Sequence, residues 1–263
     1  TGTLGNTHDR ENRLVQSGAV VNTYDANGNR TAKGADSYVY DSADRLTQTT
    51  IGGVVTGYQY DGLDHRYART RAGVTTRYVL DTNTTLTNVL METSATNEAQ
   101  VYNVYGLGLI ARIGADDSIR FLHTDPRGSV VALTDDSATV TDQYAYDPFG
   151  QVANQSGSDA NPFRFLGRHG VLDEGSDLNY IRARYYDAEQ QRFISKDDYL
   201  GEDRNAQTRH RYAYALNNPV RLVDISGFAP SDSIEAPSSR TGPSNADGFA
   251  RSLLGELGGG FYT

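Results

Sequence analysis

The chain has 263 residues, a formal net charge of −9, 18 tyrosines and no cysteine. The absence of cysteine excludes disulfides, thiol nucleophiles and cysteine-based metal centres. The acidic balance argues against non-specific nucleic-acid binding, which depends on Lys and Arg neutralising phosphates. No stretch approaches the roughly 20 apolar residues of a membrane-spanning helix. Abundant tyrosine and turns marked by glycine favour short strands joined by tight turns.

The cationic side chains are almost all arginine, since only Lys33 and Lys196 are lysines among the 24 Lys and Arg residues. Arginine forms planar, bidentate pairs with carboxylates and stacks on aromatic rings. Because 33 Asp and Glu residues accompany the tyrosines, we expect a lattice of Arg, Asp and Tyr contacts.

A Tyr-Asp pair followed by a short turn, and usually by Arg, recurs along the chain. Its copies begin at Tyr24, Tyr40, Tyr60, Tyr146 and Tyr186. The first three copies start 16 and 20 residues apart, a period that is typical of strand–turn–strand units.

One copy explains the local physics. In the run from Tyr38 to Asp41, both tyrosines share one face of a strand. The aspartate at the strand end accepts bonds from nearby backbone N–H groups and begins a turn, in which a Gly, Asn or Asp takes the left-handed conformation. Residues 10–160 show no helical periodicity. Because an isolated hairpin is marginally stable in water, the hairpins are predicted to pair sideways into one continuous sheet.

These tandem hairpins resemble the YD repeats of Rhs proteins, toxin-complex C subunits and teneurins. Further segments are similar to the Rhs repeat-associated core domain, and together the resemblance covers about residues 20–228. These segments are residues 105–112, 122–130, 163–168, 178–187 and 212–220.

The resemblance implies an all-β fold in which YD-repeat hairpins form part of a spiralling hollow shell, capped by the Rhs core domain. It divides the chain into hairpins at 1–104, the core domain at 105–228, and a linker with a short or truncated variable tail at 229–263. The chain begins at Thr1, with neither an initiator Met nor a signal peptide, and we expect it to be the C-terminal cap of a longer shell protein.

In toxin-carrying members of this family, the shell encloses a C-terminal cargo. The implied partners are therefore the chain's own cargo segment and upstream YD repeats, with a secretion or delivery assembly as a further candidate. The expected location is secreted or at the cell surface. No nucleic acid, cofactor or metal is implied, and the histidines lack metal-ligand spacing. They are His8, His65, His123, His169 and His210.

Family members that carry a toxin cut the chain after an Asp-Pro-x-Gly-Leu signature. The matching segment here is 224–228, in which Ile225 replaces the usual Pro and Phe228 replaces the usual Leu or Met. Upstream, residues 195–198 match the family's Ser-x-Asp-Pro, with Asp198 in place of Pro. The implied scissile bond joins Phe228 to Ala229.

The match makes Asp197 and Asp224 the candidate catalytic pair for self-cleavage. One carboxylic acid polarises the scissile carbonyl, and a neighbouring carboxylate activates water, which requires the two groups to share a proton. Arg192 is expected to hold one of them as the anion. Gly227 is expected to give access to the backbone, and the Phe228 side chain to sit in a pocket.

Two alternatives stay open. In both, Asp197 and Asp224 only cap turns and pair with arginine, because the proline that normally pre-sets the turn at this junction is missing. The chain would then belong to a non-cleaving extracellular structural or adhesive protein that binds glycans or a partner, or to an eroded remnant. The missing prolines and the short tail favour this reading, and the complete series of core segments favours the toxin shell.

Overall fold

The computed structural model describes residues 5–201, 206–228 and 230–232. Ala229 and residues 233–263, which make up most of the predicted tail, lie outside the described residues. Among the residues that are described, no helix is long and apolar enough to cross a membrane.

Residues 7–156 form a single antiparallel sheet in which every strand pairs with its neighbours in sequence. The sheet continues through residue 105, so the expected division between hairpins and core domain falls inside it. Within the described residues its strands are β1 (Thr7–His8), β2 (Leu14–Ser17), β3 (Val20–Tyr24), β4 (Arg30–Lys33), β5 (Asp36–Tyr40), β6 (Leu46–Ile51), β7 (Val54–Tyr60), β8 (Arg66–Arg71), β9 (Val74–Asp81), β10 (Asn88–Thr93), β11 (Ala99–Gly106), β12 (Gly108–Gly114), β13 (Ile119–Thr124), β14 (Val130–Thr134), β15 (Val140–Tyr146) and β16 (Val152–Ser156).

The Tyr-Asp turns form as their sequence predicts. After β5, one oxygen of Asp41 accepts hydrogen bonds from the backbone N–H groups of Ala43 and Arg45, at 2.9 and 3.0 Å. Its second oxygen accepts one from Arg45 Nε at 2.8 Å, and Asp44 takes the left-handed conformation with φ of 58°. An aspartate thus closes the turn with its own side chain and sets the register of the following strand.

A second layer covers one face of the long sheet. Its elements are a 3₁₀ helix (Gly167–His169), a four-stranded sheet of β17 (Leu172–Asp173), β18 (Leu178–Ile181), β19 (Arg184–Asp187) and β20 (Arg192–Phe193), two further 3₁₀ helices (Ala206–Arg209 and Ala215–Asn217), and a strand pair, β21 (Leu222–Val223) with β22 (Ser231–Asp232).

One predicted hairpin copy lies elsewhere than expected. Tyr24, Tyr40, Tyr60 and Tyr146 end strands of the long sheet, as predicted, but the Tyr186 copy belongs to β19 of the smaller sheet. All four residues of β19 are buried. A strand enclosed on both faces cannot take a place in the long sheet, whose outer face is exposed to solvent.

The two layers meet through tyrosine-rich clusters on the inner face of the long sheet. In one of them, inward side chains of β5, β6 and β7 pack against the second layer, as alternation along a strand requires. Its buried members are Tyr38, Leu46, Tyr58, Leu178, Tyr185 and Ile194.

Buried ion pairs also join the layers. Arg30 Nη1 lies 2.8 Å from Asp187 Oδ2, and Arg66 Nη1 lies 2.5 Å from Glu174 Oε1. The Arg30 guanidinium stacks on Tyr38, 4.7 Å from the ring centroid. The expected lattice of arginine, acid and tyrosine is therefore confirmed, and it connects segments more than 100 residues apart.

Candidate functional site

The candidate junction lies along the turn between β18 and β19. The backbone N–H of Ala183 donates to the Ser226 carbonyl at 3.3 Å, and Arg182 Nη1 donates to the Ile225 carbonyl at 2.6 Å. The segment that follows β21 is thus held against this turn by backbone and guanidinium contacts.

Asp224 folds the junction around its own carboxylate. One oxygen accepts hydrogen bonds from the N–H groups of Ser226 and Gly227, at 3.2 and 2.8 Å, and from the Ser226 hydroxyl at 3.1 Å. The residue is only 2% exposed. An aspartate that bonds to the next residues forms a turn without proline.

Arg184, at the start of β19, connects the two candidate acids. Its Nη2 lies 2.8 Å from Asp197 Oδ2 and 3.8 Å from Asp224 Oδ2. One nitrogen is therefore within ion-pair distance of both carboxylates. The structure brings together the pair that the motif match singles out, and Asp197 is itself only 7% exposed.

The rest of the Arg184 guanidinium is also engaged. Nε donates to the Gly227 carbonyl, and Nη1 donates to the Arg211 carbonyl at 3.1 Å. The guanidinium carbon lies 3.7 Å from the centroid of the Phe193 ring. Since each contact restricts this side chain, Arg184 fixes the junction backbone relative to the two acids.

Burial dominates the electrostatics of the site. It raises the pKa of both Asp197 and Asp224 above the ordinary value of 3.8, and attraction to Arg184 offsets this only in part. The charge of Asp224 further raises the pKa of Asp197. Burial therefore disfavours the charged form of both carboxyls.

Arg192 does not lie where it was expected. Its Nη1 donates to the Asn12 carbonyl at 3.3 Å, and its Nη2 lies 3.0 Å from His8 Nε2. Successive side chains of a strand point to opposite faces, and the next residue, Phe193, already faces Arg184. Arg192 is thereby directed toward the N-terminal strands, and Arg184 is the arginine beside the acids.

Gly227 occupies a position that has no room for a side chain. Its φ is +82°, and an added Cβ would lie 2.3 Å from the Ile181 carbonyl oxygen. Phe228 follows, 55% exposed, and its ring borders an open cleft of about 420 Å³ instead of filling an enclosed pocket. The other side of the implied scissile bond, Ala229, lies outside the described residues.

Comparison with known proteins identifies the family. Residues 3–220 match the teneurin YD-shell family. The chain belongs to this family. It is 33% identical over 223 residues to the tRNA3(Ser)-specific nuclease WapA of Bacillus spizizenii, covering 82% of this chain and 9% of WapA. It is 38% identical over 111 residues to the toxin protein Tse5 of Pseudomonas aeruginosa, covering 42% of this chain and 8% of Tse5.

Solved YD shells share the fold. The crystal structure of TcdB2–TccC3 aligns with a TM-score of 0.61 at 19% identity, over 78% of this chain and 11% of that structure. The resemblance stated from the sequence, and the all-β class with its long antiparallel sheet, are both confirmed. The chain is a YD-shell segment of the kind found in toxin proteins, and it spans about a tenth of the length of these relatives.

Proposed function

We propose that this chain is the core-domain part of a secreted or surface-delivered toxin shell, which encloses a C-terminal cargo and cuts its own backbone after Phe228. The family and two relatives with toxin or nuclease names support the first part. Self-cleavage is supported by the pair of buried acids, Asp197 and Asp224, which Arg184 holds beside a junction that matches the family's cleavage sequence.

The chemistry is hydrolysis by a shared-proton acid pair. The carboxylate takes a proton from water, whose oxygen attacks the Phe228 carbonyl carbon. The protonated carboxyl polarises that carbonyl and then supplies a proton to the departing nitrogen of Ala229. The products are a carboxyl group on Phe228 and an amine on Ala229. Arg184, bonded to the carbonyl of the preceding Gly227, orients the junction for this attack.

The missing prolines do not leave the junction without a turn. The three hydrogen bonds to Asp224 Oδ1 close the turn at the place where proline would otherwise pre-set it. Arg182 holds the Ile225 carbonyl, and the Ile225 side chain packs against the buried cluster that includes Tyr214 and Val223. These contacts support cleavage by a chain that lacks the family's Pro at this position.

The test is the intact mass of the chain expressed with its natural upstream repeats. We expect the wild type to break between Phe228 and Ala229, and Asp197→Asn and Asp224→Asn variants to stay whole. Asp136→Asn is the matched control, because Asp136 is an exposed acid in the turn between β14 and β15, and its loss should leave cleavage intact. A single uncut mass for the wild type would refute self-cleavage, and it would support the alternative of a non-cleaving structural shell.

A further inference from the structure

Two cationic side chains in the cleft beside Phe228 have no ion-pair partner among the described residues. It lies between the Tyr-Asp turns at residues 26–29 and 43–46 and the second layer, and it encloses about 420 Å³. Both Lys196 and Arg211 line it together with Phe228. Its position next to the candidate scissile bond makes its chemistry relevant to the products of cleavage.

Lys196 is the clearest unpaired charge. In the described part of the chain, its ammonium makes no ion pair and no hydrogen bond, whereas the only other lysine, Lys33, binds Asp187 and Glu189. Arg211 donates through Nε to the Asp197 carbonyl at 2.5 Å, and within the described residues its two terminal nitrogens have no partner. Three carboxylates also line the cleft, those of Asp44, Asp64 and Asp198. Asp64 pairs with Arg45, and Asp44 accepts hydrogen bonds from two asparagine amides. Among the described residues none of the three lies within ion-pair distance of Lys196 or Arg211, and cations without a direct partner are suited to an anionic ligand.

The Tyr40 hydroxyl is a third group without a partner. In three of the other copies, the tyrosine of the Tyr-Asp pair donates to a carbonyl at the start of the preceding strand: Tyr24 at 3.1 Å, Tyr60 at 2.8 Å and Tyr146 at 2.8 Å. In the fourth, Tyr186 donates to the Phe149 carbonyl at 2.7 Å. Tyr40 is one of the residues that line the cleft, and its hydroxyl is buried without a hydrogen-bond partner in the described structure.

The Tyr40 hydroxyl also stays a donor at any physiological pH. Burial raises the pKa of Tyr40 well above its ordinary value of 10, so the group remains a neutral phenol. A buried donor left without an acceptor is costly, and a carboxylate accepts bonds from a phenol as well as from an ammonium or guanidinium group.

We propose that this cleft is a carboxylate-binding site, and that its occupant is the α-carboxylate that hydrolysis leaves on Phe228. This rests on the proposed function. In the uncut chain, a neutral peptide group follows the Phe228 Cα. Hydrolysis adds a hydroxyl to the Phe228 carbonyl carbon and a hydrogen to the departing nitrogen, and the acid then ionises beside Lys196, Arg211 and Tyr40. The cleft thereby fixes the new chain end to the shell and disfavours religation.

The test compares the effect of Lys196→Met on melting temperature in cut and uncut chains with their upstream repeats. The cut form is the self-cleaved wild type, and the uncut reference carries Asp197→Asn. We expect Lys196→Met to lower the melting temperature of the cut chain by about 2–4 °C, and that of the uncut chain by roughly 1 °C or less. Lys196→Arg should keep the wild-type value. Arg10→Met, which removes an exposed cation outside the cleft, should affect both forms equally.

The design separates this site from the cleavage proposal. If the full chain stays whole, self-cleavage fails, and the same variants in a chain that stops at Phe228 still test the site. That shorter chain also distinguishes the source of the carboxylate, because it has no residue beyond Phe228. Equal shifts from Lys196→Met in cut and uncut chains, or no shift in the chain ending at Phe228, would overturn the proposal.

Discussion

Replacing Glu174 by glutamine should be among the most destabilising single changes in the described structure. The side chains of Glu174 and Arg66 are both 0% exposed, and they meet at 2.5 Å. Arg66 also stacks against Tyr180, 3.9 Å from the ring centroid, so its charge has no route to solvent. Glu174→Gln keeps the shape but leaves that charge uncompensated, which costs about 3–5 kcal/mol in comparable buried pairs.

The assay is urea denaturation of the wild type and the variant, with unfolding monitored by the near-ultraviolet circular dichroism of the tyrosines. The expected loss in free energy of unfolding corresponds to a fall in melting temperature of roughly 6–20 °C for a domain of this size. Glu98→Gln is the control, because Glu98 lies exposed in a turn, and it should change stability by less than about 0.5 kcal/mol.

A double variant distinguishes an unpaired charge from lost packing. Replacing Arg66 by Met together with Glu174 by Leu removes both charges, and it should recover most of the stability that Glu174→Gln loses. If the free energy of unfolding of Glu174→Gln lies within about 1 kcal/mol of the wild-type value, the Arg66–Glu174 pair is not buried from water in the way the structure shows, and the reasoning is wrong.

Three predictions concern the junction. Arg184→Lys keeps the charge but loses the nitrogens that bind the Gly227 and Arg211 carbonyls while Nη2 faces the two acids. It should slow self-cleavage roughly 10–100-fold in a time course of intact masses, and an unchanged rate would contradict the role of Arg184. Gly227→Ala places a Cβ 2.3 Å from the Ile181 carbonyl oxygen, so it should abolish cleavage. The far-ultraviolet circular dichroism should stay that of the wild type. Normal cleavage by this variant would show that the junction has room for a side chain. Burial raises the pKa of Asp197 and Asp224, so the folded state favours their protonated forms. Their contribution to the stability of the fold is therefore complete below the ordinary carboxyl pKa of 3.8, and it is lost as pH rises through the raised pKa values. Because catalysis needs one protonated carboxyl, cleavage should slow from weakly acidic to weakly basic buffer, and a rate that rises across this range would refute the shared-proton scheme.

Much of the long sheet follows from local sequence. Each Tyr-Asp copy contains its own turn signal, and an aspartate that bonds to the next backbone N–H groups fixes where one strand ends and the next begins. The alternation in β5 then places Tyr38 on the inner face and Val39 outside. Since each hairpin pairs with its neighbours in sequence, no long-range information is needed to order these strands.

The second layer depends on contacts that no local pattern encodes. The Tyr186 copy has the same sequence signal as the others, yet Asp187 pairs with Arg30 and Lys33 from the distant β4. Arg184 and Arg192 are equally plausible partners for Asp197 by residue type. The choice between them depends on which face of β20 meets β19, and the sequence around Arg192 does not carry that information.

The candidate catalytic aspartates differ from the turn-forming aspartates in environment and not in local motif. Asp41 and Asp224 both accept hydrogen bonds from the backbone N–H groups that follow them. At Asp41, burial is slight, and hydrogen bonds to Arg45 lower the pKa. At Asp224, burial outweighs the same kind of bonds and raises the pKa. A second layer that encloses a turn-capping aspartate thus reverses the direction in which its pKa shifts. The sequence motif locates such a residue, and the packing of the second layer determines that direction.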